Sequence, residues 1–516
     1  MRDGTVLLAD HYAPVTAQAC PTLLIRCPYG RGPMFGYMNA QWYAERGYHV
    51  IVQSVRGTFG SKGVFSPGTA EAADAQDTVA WLRRQAWFDG RLAALGASYL
   101  GYTAWSLAMD PPPELKALVV TKAVHDLHAA AHAQGPFHLA DMLMWADLFA
   151  HQESLGTLRN LRHMYTAERR LTSSFARLPL AATGDTLGGV DIPWYREWID
   201  HPDAGDALWR ERMATSALET VDVPTMIFGG LHDVFLEQTL EQYHCLRRRG
   251  VEVALTLGPW THYQLDQALA VTETLAWLDH YVCGRGELAR EHPVRVQVGG
   301  TGQWEGFTQW PPTSTASHTL YLRAPGRLEQ SPSEEGEAAS TAFTYDPADP
   351  TPSPGGATLS PGAGPRDNAA VEARPDVLTF TTAPLPAPLV VYGAPTAVLH
   401  VSSDSPYTDY FVRLCDVDAK GRSRNVADRI IRPTPEQTTP GAPRSLTLTL
   451  PDVAHSFAAG HRVRIQISGG AHPRYARNTG APDQTDTTNL TATTRHVHHS
   501  PALPSTFTVP TAIPHP

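Results

Sequence analysis

The stretch Leu92-Ala93-Ala94-Leu95-Gly96-Ala97-Ser98-Tyr99-Leu100-Gly101-Tyr102 constrains this chain most. The apolar run 92–95 reads as the end of a buried strand, and 99–109 has a helical pattern that stops at Asp110 and the prolines after it. A serine on so sharp a strand-to-helix turn has its hydroxyl pushed out beyond the sheet, the geometry of a nucleophile elbow. Strand and helix nearly touch there, so small residues are needed, and Gly96 and Ala97 meet that need. The following helix points free N–H groups at the place where an oxyanion would form. The match to Gly-x-Ser-x-Gly is imperfect, because position 100 is Leu and the second glycine is Gly101. The reading therefore depends on an acid and a histidine downstream.

The chain has 516 residues, too many for one ordinary core, and two or three domains are expected. A net charge of −10 without any basic run argues against nucleic acid as a partner. No apolar run approaches the length of a membrane span, and Met1-Arg2-Asp3-Gly4 does not read as a signal peptide. The cysteines, Cys20, Cys27, Cys245, Cys283 and Cys415, are odd in number and scattered, which suits a reducing, cytoplasmic setting, although a Cys20–Cys27 pair stays open.

Residues 1–122 alternate strand patterns (5–12, 22–26, 48–55, 117–121) with helical ones (35–46, 70–86). Such alternation implies a mostly parallel sheet with helices on both faces. Residues 123–220 break the rhythm, being rich in Ala, Leu, His and Arg, and are expected to form an all-helical cap. Strand and helix then resume over 221–286. From 287 to 516, short β runs separated by Pro, Gly and Asp turns predict an all-β sandwich, its first strand at 294–298. Within it, 324–370 reads as a long excursion over the surface.

A nucleophilic serine needs a general base and an acid that holds the base's tautomer. Two places fit, in the chain order of an α/β-hydrolase. Met226-Ile227-Phe228-Gly229-Gly230-Leu231-His232-Asp233 is a strand, a glycine turn and a carboxylate. Leu255-Thr256-Leu257-Gly258-Pro259-Trp260-Thr261-His262 is the next strand, a turn and a histidine. Open parallel sheets place their sites in such loops. Taken singly, Asp233 also fits a helix N-cap and His262 an ordinary surface residue. Asp266 is the next candidate acid, while His232 is expected to point away.

These residues belong to a wider pattern: Arg26-Cys27-Pro28-Tyr29, Gln53-Ser54-Val55-Arg56-Gly57, Trp87-Phe88-Asp89-Gly90, the elbow, Gly229-Gly230-Leu231-His232-Asp233, Gly258-Pro259-Trp260-Thr261-His262, Tyr345-Asp346-Pro347, Asp409-Tyr410-Phe411 and Pro473-Arg474-Tyr475-Ala476-Arg477-Asn478. With these motifs the chain resembles the cocaine esterase-like and X-prolyl dipeptidyl peptidase-like serine hydrolases over nearly its whole length. The family's elbow is Gly-x-Ser-Tyr-x-Gly, which accommodates Leu100. The resemblance implies Ser98 as nucleophile, His262 as base, Asp233 as orienting acid, and an oxyanion hole from the Tyr99 N–H and the Tyr29 phenol. It also implies a hydrolase domain, a helical cap and a C-terminal jelly-roll-like sandwich.

The expected activity is cleavage of a carboxylic ester through an acyl-enzyme. X-prolyl dipeptidyl peptidase, amide hydrolase or acyltransferase chemistry on the same triad are the alternatives, and a non-catalytic binding protein on a degenerate hydrolase fold is the other class. Amino-acid ester hydrolases of the family carry carboxylates just after the catalytic acid, whereas Val234-Phe235-Leu236 is apolar here. Phe235 is thus a candidate for an acyl pocket. Phe137, Trp145, Phe149 and Trp194 are candidates for an aromatic cleft, with Tyr407 and Tyr410 as outer contributors. No cofactor is expected. Nor is a metal, since neither His125/His128/His132 nor His496/His498/His499 has a paired Cys/His signature.

Overall fold

The computed structural model describes residues 1–16, 19–32, 38–288 and 290–512. Strands β1 (Ala9–Tyr12), β2 (Cys20–Cys27), β3 (His49–Ser54), β4 (Phe88–Ala97), β5 (Leu115–Thr121), β6 (Thr225–Gly230), β7 (Val253–Gly258), β8 (Val294–Gln297) and β9 (Trp304–Phe307) form a nine-stranded sheet in the order β1-β3-β2-β4-β5-β6-β7-β8-β9. Strands β2 to β8 pair in parallel, and β1 and β9 close the edges antiparallel. Helices cover both faces, so β2, β3, β6 and β7 are buried end to end and read as continuous apolar runs rather than alternating ones.

Successive side chains still go to opposite faces. Leu23, Ile25, Val50, Leu95 and Val119 share one core with Trp277 and Leu278. Leu24, Ile51, Ala94, Leu118 and Val120 face the other way, toward Tyr99, Trp105 and the helical insertion. The helices of the first part are α1 (Met38–Glu45), α2 (Glu71–Leu82) and α3 (Tyr99–Ala108). The insertion holds α4 (Leu127–His132), α5 (Leu139–His151), α6 (Thr157–Arg170), α7 (Thr172–Phe175), α8 (Pro193–Asp200), α9 (Ala207–Arg210) and α10 (Ala217–Thr220). Then α11 (Leu236–Arg248) and α12 (Gln267–Tyr281) return the chain to the sheet. Among the described residues no helix is long and apolar enough to cross a membrane.

The later strands, from Thr315–Arg323 to Thr506–Ala512, build a second, thirteen-stranded and mostly antiparallel β assembly. Its own core includes Leu320, Phe343, Val401, Leu414, Ile465 and Phe507. Behind that core, Asp428 is buried with Arg413 at 2.9 Å and Arg474 on its other oxygen.

Three expectations change. The run at 294–298 does not open the sandwich: Val294 and Val296 face inward on β8, which extends the first sheet beside β7. The excursion at 324–370 is not only superficial. It contributes the strands Arg327–Glu329 and Ser340–Tyr345, and then returns to the insertion, where buried Thr358 donates to Asp141 at 2.5 Å. The first strand begins at Ala9 rather than residue 5, and the helix expected from residue 35 is described from Met38, residues 35–37 lying outside the described part. All five cysteines are thiols, so Cys20 and Cys27 are not paired.

Candidate active site

Ser98 follows directly on β4 and serves as N-cap of α3 with φ 56° and ψ −126°. A positive φ is strained for a residue with a Cβ, and such strain persists only where the surroundings enforce it. Here they do. The Ser98 N–H donates to Thr121 O at 3.0 Å, and the Tyr102 N–H donates to Ser98 O at 3.1 Å. A Cβ at Gly96 would sit 2.1 Å from Leu100 O, and one at Gly101 would sit 2.3 Å from the Ala123 methyl. These two glycines let α3 lie directly on the strand ends.

Asp233 stands in the turn after β6, buried to 2% exposure. Its Oδ1 accepts the Phe235 N–H at 2.8 Å, and its Oδ2 lies 2.7 Å from Nδ1 of His262. A carboxylate only accepts, so Nδ1 carries the hydrogen and Nε2 is left as the basic nitrogen. The local turn and the imidazole contact use different oxygens, so Asp233 serves both roles. Asp266 instead caps α12, accepting the Leu269 N–H at 3.0 Å.

Tyr29 lies just past β2. Its hydroxyl accepts the Trp145 Nε1–H at 3.0 Å, and it also hydrogen-bonds the Ser98 side chain. Burial pushes its phenol well above the usual tyrosine range, so it stays a proton donor. The Tyr99 ring is tied down separately: its hydroxyl donates to Glu71 Oε1 at 3.0 Å and accepts the Gly68 N–H at 3.0 Å. Glu71 is held in turn by buried Arg26 at 3.0 Å. The residue whose N–H opens α3 is therefore anchored through its own side chain.

Ser98, Tyr29, Tyr99 and His262 all line one cavity of about 340 Å³. Phe235 and Trp145 line it as well, Phe235 standing edge-on to the His262 ring with centroids 5.3 Å apart. Phe137 does not: it is buried against Tyr195 and His132 as a packing residue of the insertion. Phe149 and Trp194 likewise pack around Trp145 without lining the cavity. Tyr407 and Tyr410 stay away from it, Tyr410 being buried under the Arg495 guanidinium. His232 does not line the cavity, and burial pushes its imidazole down to about 4.

The histidine clusters do not converge. His125 turns to Gln242, His128 to Pro202 O and His132 to Trp198 O, while His498 and His499 bond Ser402 and Thr341. Among the described residues one set with metal-ligand chemistry does come together, Asp147, His151 and His163, with ligand atoms within 4.8 Å. The Arg170 guanidinium already sits 2.6 Å from Asp147 Oδ2, where a cation would have to bind.

Trp145, a cleft candidate from the sequence, lines the cavity and also donates to the Tyr29 hydroxyl; two further participants, Leu359 and Lys122, are not evident from the sequence. Leu359 reaches the cavity from the excursion 217 to 218 residues beyond its anchor Asp141. Lys122, directly after β5, is buried beneath the His262 loop. A lysine closing an apolar strand was the one available signal for it.

The chain matches the X-Pro dipeptidyl-peptidase (S15 family) over residues 3–264 and the X-Pro dipeptidyl-peptidase C-terminal non-catalytic domain over residues 287–508. It is 30% identical to a cocaine esterase of Rhodococcus sp. (strain MB1 Bresler), over 99% of this chain and 97% of that protein. Among solved structures, an α-amino acid ester hydrolase superposes with a TM-score of 0.84 at 25% identity, covering 99% of this chain and 95% of that one. An aminopeptidase from a marine-sediment Thaumarchaeota archaeon shares the fold with a TM-score of 0.84 at 24% identity and the same coverage.

Proposed function

The chain belongs to the X-Pro dipeptidyl-peptidase S15 family of serine hydrolases, and on that premise we propose that it hydrolyses carboxylic esters with an uncharged acyl group. Ser98 Oγ attacks the ester carbonyl while His262 Nε2 takes its proton, and Asp233 Oδ2 holds the imidazole by Nδ1–H. The oxyanion receives the Tyr99 N–H and the Tyr29 O–H. Because the Tyr29 oxygen already accepts from Trp145, its own proton remains for the developing charge. The imidazolium then protonates the leaving alcohol, and water attacks the Ser98 ester by the reverse path.

The observation that carries the ester reading is the cavity wall. Its described lining residues are apolar, aromatic, hydroxyl-bearing or neutral amide, His262 apart, with no carboxylate to hold a substrate ammonium. On this reading residues 123–220 act as a cap over the acyl site and residues 221–286 complete the hydrolase unit. The substrate is a small molecule, and the five thiols suit a reducing, cytoplasmic setting.

A rate panel tests the proposal: p-nitrophenyl acetate, butyrate and benzoate against an X-Pro p-nitroanilide, for wild type and Ser98→Ala. Fast ester turnover that vanishes in the variant, with little anilide cleavage, is expected. Dominant anilide cleavage would contradict it.

A further inference from the structure

We propose that Lys122 is a positioning residue whose side chain holds the loop bearing His262 against the end of β5, beside the backbone bonds that tie the loops of Ser98 and Asp233 there. The inference rests on the reading of His262 as the base. Residues 121 and 122 sit where those loops meet. Thr121 O accepts the Ser98 N–H at 3.0 Å, and the Lys122 N–H donates to Phe228 O at 2.7 Å, on the strand that leads to Asp233. The Lys122 side chain then crosses to the loop after β7. Its ammonium donates to Thr261 O at 2.8 Å, His262 O at 3.4 Å and Gln264 O, with the Trp260 ring 5.8 Å away. Three carbonyls of a short loop are thus gathered on one cation, much as a bound metal ion would gather them.

Two features show that a lysine here is not ordinary packing. Lys122 has φ 47°, a left-handed conformation that costs free energy for a residue with a Cβ. It is also 3% exposed and forms no ion pair among the described residues. Buried cations without a carboxylate partner are costly. Burial pushes its ammonium down to about 8, opposed by the charge of Asp233. Asp233 on the β6 loop is the charged group that acts on it, the β7 loop presents it with the His262 backbone carbonyl, and buried His125 follows on its own segment, bonded to Gln242. Once neutral, the amine has only two hydrogens and a lone pair for three carbonyls, so the His262 loop loosens.

The test is the pH profile of ester turnover for wild type, K122M and K122R, with H262A alongside. Wild type is expected to lose kcat with an apparent pKa near 8. K122M should be folded by circular dichroism, slower in kcat by about 10²-fold with KM little changed, and without that alkaline limb. K122R, still a cation, should move the limb upward. In K122A, methylammonium should restore turnover and tetramethylammonium, which has no N–H, should not. A K122M enzyme with wild-type kcat and limb overturns the inference. If K122M does not fold, an unmoved limb in K122R overturns it equally. H262A separates the two claims: if it keeps full activity, the reading of the base fails, and if it is inactive while K122M behaves as wild type, only the role of Lys122 fails.

Discussion

The loop that carries Ser98 and the loop that carries His262 meet in one cavity but are held by opposite means. The first is local. Its shape follows from Gly96, Ala97 and Gly101 within one turn of the serine, and from a backbone bond to the neighbouring strand. The second is assembled at long range, from Lys122 just past β5, 139 residues before Thr261, and Asp233 on the β6 turn, 29 residues before His262. One loop is specified by what fits, the other by what reaches it. Substitutions are therefore expected to act on the two differently: at the elbow as steric conflict and lost fold, at the His262 loop as lost alignment in a folded protein.

The largest expected effect lies on the long-range side. Asp233→Asn should fold normally yet lose about 10⁴-fold in kcat, because an amide no longer selects the Nδ1–H tautomer. Circular dichroism beside steady-state kinetics checks it, and near-wild-type turnover would put the acid elsewhere. Tyr29→Phe comes next: the proposed role on the oxyanion rather than on bound ester requires kcat lower by about 10²–10³-fold with KM little changed. The opposite split would make Tyr29 a binding residue. Gly96→Ala sharpens the local side. Its methyl would meet Leu100 O, so strand and helix must separate, at a cost of about 3 kcal/mol measurable by denaturant unfolding. Unchanged stability would mean that the elbow is not tightly packed. The smallest effect is Trp145→Phe. An aromatic ring is kept on the cavity wall while the Nε1–H to Tyr29 is removed together with the pyrrole half of the indole, so kcat should fall by about ten-fold. In a Tyr29→Phe background the same change should do almost nothing, and additive losses would separate the two residues.

The same contrast explains what could be read from the chain. The elbow was legible because its geometry is written in adjacent residues: an apolar strand end, small residues, a serine, a helix. Asp233 and His262 were legible as types at strand ends, but their 2.7 Å contact belongs to the parallel order β5-β6-β7 and to no local pattern. Lys122 was not legible. Nothing near it in sequence shows that its side chain crosses two strand ends to reach Gln264 O. The aromatic candidates divided for a related reason. Phe235, two residues past Asp233, faces the cavity, whereas Phe137 has the same composition signal but the packing environment of the insertion. The run at 294–298 reads as a sandwich strand because a short β run does not carry its partner's identity, which here is β7. Likewise, the Pro- and Gly-rich stretch ending at Leu359 reads as loop by composition, although its tip is buried against Asp141.

The central claim is that one serine on the elbow forms a covalent ester during turnover. The most direct measurement is an acid quench during rapid hydrolysis of p-nitrophenyl butyrate, followed by peptide mass spectrometry. The account predicts a butyryl adduct on the peptide containing Ser98, absent in Ser98→Ala and accumulating in a Lys122→Met enzyme if deacylation slows with the base misaligned. An adduct on another residue, or ester turnover persisting in Ser98→Ala, would contradict it.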